Sequence, residues 1–199
     1  MVPSFFDRHQ SFKDALGIFV FVICVLIGTV FINAFIFRSF NVEGPSMQDT
    51  LFTGDRLLVN RTVVTWAQLQ NKSYIPERGQ VIVFKNPQYV PGLAEEYIVK
   101  RVVAFAGERV VLKDGKFTVY DNKNLNGIDP DTFNDGKPTA PIEGEVDTIV
   151  PEGTVFVVGD NRVDGYSKDS RNGLGTIPYY DIIGPVSLRI FPFDQIRIF

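Results

Sequence analysis

The chain has 199 residues, 45% of them hydrophobic, with a formal net charge of -3 and a pI near 5.2. This length admits one domain with a sizeable core plus an anchor, or two small domains. The lack of a basic footprint argues against a nucleic-acid partner, and the single cysteine, Cys24, excludes an intrachain disulfide, so stability must come from packing.

Residues 1–14 mix Asp7, Arg8, His9, Lys13 and Asp14 with Phe5, Phe6 and Phe12, which reads as a short amphipathic lead at a membrane surface. From Ala15 to Phe37 run 23 residues without a charged side chain, and only Thr29 and Asn33 are clearly polar. At about 1.5 Å per residue a helix of this length crosses a hydrocarbon core of about 30 Å. A cleaved secretory signal would have an apolar region of about 7–15 residues and a small-x-small exit. Phe35-Ile36-Phe37-Arg38-Ser39-Phe40 offers no such exit. A buried core helix is the other alternative, but an uncharged run this long favours a retained transmembrane anchor, in which Cys24 packs or faces lipid. Arg8 and Lys13 before the span against Arg38 after it predict a cytoplasmic N-terminus and an extracytoplasmic remainder.

Eight residues separate Phe37 from Ser46 in Gly44-Pro45-Ser46-Met47-Gln48-Asp49-Thr50-Leu51. Even fully extended, they hold that serine within about 30 Å of the helix end. Taken alone, Ser46 is an ordinary Gly-Pro turn serine. As a nucleophile it needs a base. The only histidine, His9, lies on the far side of the span, which excludes a Ser-His-Asp triad within one chain. Carboxylates and lysines remain.

After a turn at Gly54-Asp55, Arg56–Asn60 reads as a strand, and residues 65–70, with the sole tryptophan Trp66, as a short helix or loop. Residues 78–85 read as another strand ended by Asn86-Pro87, and residues 96–105 as a third. Alternation there puts Ile98, Lys100, Val102 and Ala104 on one face. An amine among those apolar neighbours would have a lowered pKa and serve as a base; alone, Lys100 and Arg101 read equally as residues that keep a strand soluble. Residues 108–112 and 117–120 flank Lys113-Asp114-Gly115-Lys116, a hairpin signal. Asp121 to Asp147, rich in Asp, Asn, Gly and Pro, reads as an exposed insertion. Its Asn122, Asn124, Asn126 and Gly127 resemble a calcium loop superficially, but Phe133 stands where a bidentate Glu belongs, so no metal site is expected. Residues 154–158 form a compact predicted strand leading into Gly159-Asp160-Asn161-Arg162, and Ser167-Lys168-Asp169-Ser170-Arg171 follows, by itself a Ser/Asp-rich surface loop. A last strand is expected over 184–190, before an aromatic tail over 191–199 that completes the core or touches lipid.

Ser46-Met47 after an apolar anchor, Gly54-Asp55-Arg56, Lys100-Arg101 in a strand that ends at Gly107-Glu108, Gly159-Asp160-Asn161-Arg162 and Ser167 to Arg171 occur in the order in which they occur in bacterial type I signal peptidases. Over residues 42–175 the chain resembles that family. The resemblance implies a membrane serine endopeptidase that removes signal peptides from exported preproteins through a Ser46-Lys100 dyad and an acyl-enzyme, with no metal or organic cofactor. It further implies that Ser167 hydrogen-bonds the Lys100 amine and that Asp169 pairs with Arg171 to hold that loop, with shallow apolar pockets accepting small side chains before the cleaved bond. Two departures stand out. Gly44 occupies the position where some relatives carry a serine that helps stabilise the oxyanion, and Asp164-Gly165-Tyr166 lengthens the loop before Ser167. Asp49 also replaces a proline common in this block.

The expected architecture is mainly β: a cytoplasmic lead (1–14), an anchor (15–37) and an extracytoplasmic antiparallel β catalytic domain (38–199) with a smaller projecting hairpin region (108–150). The expected partners are preproteins and membrane lipid, met by a monomer near the secretion translocon in the bacterial inner membrane. Two alternatives differ in kind: a self-cleaving repressor-type Ser-Lys enzyme, which would lack the anchor, and a membrane-tethered β-domain that binds envelope proteins without cutting them.

Overall fold

A computed structural model of the chain describes residues 10–133, 142 and 144–199. Helix α1 (Gln10–Phe31) runs into a π-helical turn (Ile32–Ile36). Together they contain the one helix among the described residues that is long and apolar enough to cross a membrane, Ser11–Ile36, with mean hydropathy 3.0 and none of it buried within the protein. Its apolar side chains are exposed all round, Ile18, Phe21 and Val30 among them. A helix apolar on every face has no aqueous side to present.

Phe37, expected to end the span, instead begins strand β1 (Phe37–Asn41), which pairs antiparallel with β2 (Arg56–Asn60). Asp55, in the turn before β2, accepts from the Phe52 N–H at 2.9 Å and from Arg189 at 3.0 Å, so that turn carries a buried ion pair. A short helix, α2 (Thr62–Leu69), follows and includes Trp66. Then come β3 (Val81–Lys85) and the long β4 (Tyr97–Phe105). The hairpin of β5 (Arg109–Lys113) and β6 (Lys116–Tyr120) closes with Asp114 at φ 52° and Gly115 at φ 73°, the two positive angles that its tight turn needs. Beyond it lie β7 (Val146–Ile149), β8 (Thr154–Val158), β9 (Ile177–Pro178), β10 (Ile182–Phe191) and β11 (Arg197–Ile198).

The larger sheet has the order β1-β2-β10-β3-β4-β8-β9, with β11 on β10; the smaller has the order β6-β5-β7. Strand β3 explains how the larger sheet is covered on both faces. Its Val81 and Val83 enter one core with Met47, Leu51, Leu57 and Val59, while Ile82 and Phe84 enter a second with Val102, Val155, Val157 and Ile177. Period-two alternation feeds both layers from one run of apolar residues. The smaller sheet packs Val110, Leu112, Phe117 and Val119 against Val103, Ala104 and Phe156 in a third core.

Two expectations need correction. The Asp121–Asp147 stretch is only partly an exposed insertion: Val119 and Ile128 form a β-bridge, Pro130–Phe133 is a 3-10 turn, and Val146 and Asp147 belong to β7. Residues 134–141 and 143 of that stretch lie outside the described residues. The shared face of β4 also breaks. A register shift between Val102 and Ala104 sends Ala104 into the third core beside Val103, whereas Ile98 and Val102 stay in the second. A bulge inserts one residue and flips every side chain after it.

Candidate active site

Ser46 sits half-buried in a turn whose two apolar side chains, Met47 and Leu51, are wholly buried in the core beneath it. Thr50 and Leu51 each donate their N–H to the Met47 carbonyl at 2.8 Å, and the chain on either side is joined by Val42 N–H to Asp55 O (2.8 Å) and Gly54 N–H to Val42 O (3.0 Å). Burying Met47 and Leu51 contributes about 1.5–3 kcal/mol each, which orders a segment that has no regular structure of its own. The Ser46 N–H donates to no group among the described residues.

From β4, Lys100 brings its amine to 2.7 Å from Ser46 Oγ and to 2.9 Å from the carbonyl oxygen of Val99. Lys100 is only 3% exposed. That burial pulls its pKa down from 10.5 to about 8; the charges of Asp169, Glu95 and Asp160 oppose the shift, and Arg171 adds to it. An amine so placed is about one-tenth neutral at pH 7 and half neutral near pH 8, far more than an ordinary lysine, and has one hydroxyl within proton-transfer distance.

The four residues after β8 close the site from the other side. Asn161 donates its N–H to Ser46 O (3.1 Å) and its side-chain amide to Pro45 O (3.2 Å). Gly159 is required here because a Cβ would run into Ser46 O and Ser167 Oγ. Asp160 holds Arg101, the neighbour of Lys100, through two bonds of 2.7 and 2.6 Å, and both side chains are buried. Arg162, wholly buried, donates to Asp131 at 2.9 and 2.7 Å and to Gly159 O at 2.8 Å.

Ser167, Asp169 and Arg171 come together as a group. Asp169 accepts from Arg171 Nε and Nη2 at 2.9 Å each, from the N–H groups of Arg171 and Gly159 at 3.0 Å each, and from Ser167 Oγ at 2.7 Å. Burial acts to raise its pKa, but the bonds and charge of Arg171, helped by Gly159 and Ser167, hold it below the ordinary carboxylate value. The expected bond from Ser167 to the Lys100 amine is not formed. Ser167 gives its hydroxyl proton to Asp169, and the Lys100 amine reaches Ser46 Oγ and the Val99 carbonyl instead. The ion pairs of Arg101 and Arg162 and the clamp by Asn161 were missed in the sequence reading; the Gly159 to Arg162 motif marked their place but carried no sign of their partners.

A cleft of about 360 Å³ opens in front of Ser46 and Lys100, walled by Phe40, Val42, Tyr97 and Val99. Its two sides are strand edges. Among the described residues β1 pairs only with β2, and Tyr97–Lys100 pair only with β3, since β8 joins β4 from Arg101 onward. Unpaired backbone on both walls can take an extended peptide. Among the described residues no group of three or more His, Cys, Asp or Glu could hold a metal ion.

Residues 14–191 match the family model described as signal peptidase, peptidase S26. The chain is similar to signal peptidase I T of Bacillus subtilis (strain 168), at 34% identity over 88% of this chain and 84% of that protein. It is also similar to signal peptidase I P of Bacillus subtilis subsp. natto, at 30% over 96% and 98%, and to signal peptidase I of Bacillus licheniformis, at 32% over 96% and 94%. Among solved structures, a signal peptidase I from Enterococcus faecalis V583 aligns at 22% identity over 56% of this chain and 96% of that one, with a TM-score of 0.39.

Proposed function

This chain belongs to the signal peptidase family, peptidase S26, and is a serine endopeptidase; from that premise we propose that it removes signal peptides with Ser46 as nucleophile and Lys100 as general base. The observation that carries this reading is the 2.7 Å contact between Lys100 Nζ and Ser46 Oγ in surroundings that favour the neutral amine.

Neutral Lys100 takes the Ser46 proton as Oγ attacks the carbonyl carbon of the scissile bond. The oxyanion that forms meets the unengaged Ser46 N–H. The Lys100 ammonium then gives its proton to the departing amine of the mature protein, leaving the signal peptide esterified to Ser46. Lys100 next takes a proton from water, the hydroxide attacks the ester, and Oγ leaves with a proton from Lys100 as the signal peptide's carboxylic acid is released. Arg171 and Asp169 hold the loop behind the amine, and Ser167 acts through Asp169. The substrate lies extended in the cleft between the unpaired edges of β1 and β4, with small side chains expected before the cut.

The same reading makes α1 a retained anchor, with the chain before it cytoplasmic, the span ending at Ile36 and β1 onward outside, the sheet of β5, β6 and β7 forming a smaller unit of that domain. The preprotein substrate is itself membrane-inserted, which suits a reaction centre close to the end of the span. The test is cleavage of a purified preprotein in detergent or lipid by the native chain, Ser46→Ala and Lys100→Ala, with sequencing of the product's new N-terminus. Cleavage after a small-x-small site that is lost in both variants supports the dyad. Activity that survives in Lys100→Ala discards Lys100 as the base, and a folded native chain that cuts none of several preproteins returns the non-cleaving binding domain.

A further inference from the structure

Where the span meets the β domain, two guanidinium groups border one recess with no carboxylate partner among the described residues. Arg38, second residue of β1, lies over the rings of Phe40 (5.0 Å) and Tyr97 (4.5 Å). Arg61, between β2 and α2, has its N–H on the carbonyl of Ile36 at 2.8 Å, and its buried Nε has no hydrogen-bond partner. Neither arginine pairs with a carboxylate among the described residues. Burial, and after it the Arg38 charge, hold the Arg61 pKa below its ordinary value, so the two cations work against each other.

They border an open recess of about 690 Å³ lined also by Thr29, Asn33, Ala34 and Ser39. Thr29, Asn33 and Ala34 belong to the last turns of the Ser11–Ile36 span, so the recess lies where the apolar run ends and polar headgroups begin. Helix α2 is held to the same place by Thr65 Oγ, which donates to Phe35 O at 3.0 Å, and it exposes Trp66 and Leu69 (66% and 73%). Tryptophan is enriched at that depth in membranes.

We propose that the recess between Arg38 and Arg61 binds the phosphodiester of an anionic phospholipid headgroup. This rests on the reading of α1 as a membrane anchor. Guanidinium groups match phosphate in charge and fork geometry, and a headgroup seated between them supplies a counter-charge that no described residue gives. A zwitterionic headgroup brings its own cation toward two arginines and is disfavoured. The site also touches the proposed reaction centre, because Phe40 and Tyr97, which carry the Arg38 guanidinium, are walls of the Ser46 cleft. A bound headgroup fixes Arg38 on those rings and steadies the wall along which a substrate would lie.

Trp66 is the only tryptophan, so it reports on this place alone. The full chain is reconstituted in phosphatidylcholine vesicles that contain brominated phosphatidylglycerol or, at equal bromine, brominated phosphatidylcholine. The expected result is stronger quenching by the brominated phosphatidylglycerol, with the preference falling about fivefold in Arg38→Gln and in Arg61→Gln. Arg61→Lys, which keeps charge without the fork, retains part of it. Far-ultraviolet circular dichroism and the melting temperature in detergent report that each variant is folded. Equal quenching of the native chain by the two lipids overturns the site without recourse to any variant, as does a preference that persists in the folded double variant. Loss of the preference on adding inorganic phosphate would assign the recess to a soluble anion and overturn the lipid. Flotation with the vesicles separates the two readings. A chain that fails to float overturns the anchor and this site together, whereas one that floats and shows equal quenching overturns this site alone.

Discussion

At the scale of single residues, the proposed chemistry turns on Lys100. An ammonium at this position gives up its water and receives two acceptors in exchange, Ser46 Oγ and Val99 O. That exchange is incomplete, so the neutral amine gains. When the amine is neutral, the Ser46 hydroxyl donates to it across the same contact, which is the direction a general base needs. Cleavage is therefore expected to rise with pH and to reach half its maximum near pH 8, where a buried Lys100 titrates; a steady-state pH profile on one preprotein checks this. Stability has its own window. The folded pKa of about 8 lies below the ordinary lysine value of 10.5, so between the two the unfolded chain holds more protons and the unfolding free energy rises with pH. Denaturation in detergent at pH 8 and at higher values toward 10.5 should show that rise in the native chain, and Lys100→Met should remove it.

At the scale of elements, the turn after β8 is the fastening of the site. Its four residues reach four different places: Gly159 to Asp169, Asp160 to Arg101 of β4, Asn161 to the Ser46 turn, and Arg162 to Asp131. Removing one partner of the buried pair leaves a charge without compensation. Asp160→Ala is expected to cost about 3–5 kcal/mol, because Arg101 stays buried and cannot shed its proton; chemical denaturation in detergent measures it. Gly159→Ala tests position more than stability. Its methyl group must push either the Ser46 carbonyl or the Ser167 hydroxyl aside, and misplacement of about 1 Å reduces turnover on the order of a hundredfold. The expected outcome is a fall in kcat larger than the accompanying drop in melting temperature explains, because overpacking of about 1–3 kcal/mol leaves the chain folded while the nucleophile is displaced.

At the scale of the whole molecule, an exposed apolar helix, a short helix that exposes Trp66 and Leu69, and a cleft with two open strand edges lie close along the chain. Between the end of the span at Ile36 and Ser46 there is only β1 and one short turn, and β1 is itself a wall of the cleft. The anchor therefore fixes the height of the proposed reaction centre above the bilayer through a paired strand, which is stiffer than a linker. The orientation has a direct test. In a chain carrying Cys24→Ser and Asp164→Cys, a membrane-impermeant maleimide added outside intact cells is expected to label the new cysteine. Labelling only after lysis would reverse the topology.

The sequence by itself determined the features that consecutive residues carry. The length of the uncharged run, the strand Arg56–Asn60, the Asp114-Gly115 hairpin and the ordered blocks that singled out Ser46 and Lys100 all depend on local pattern, and local pattern survives in one dimension. Tertiary structure alone decided what those blocks touch. It placed the Ser167 hydroxyl on Asp169 in preference to the Lys100 amine, turned Phe37 into the start of β1, drew β7 out of a polar stretch because β5 offered it an edge, and shifted Ala104 to another core. The buried ion pairs are the extreme case: Arg101 and Asp160 are 59 residues apart, Arg189 and Asp55 134. Nothing near Arg101 in the chain announces its carboxylate. A buried charge is tolerated only where the fold brings its partner, and which partner arrives is a property of the closed sheet.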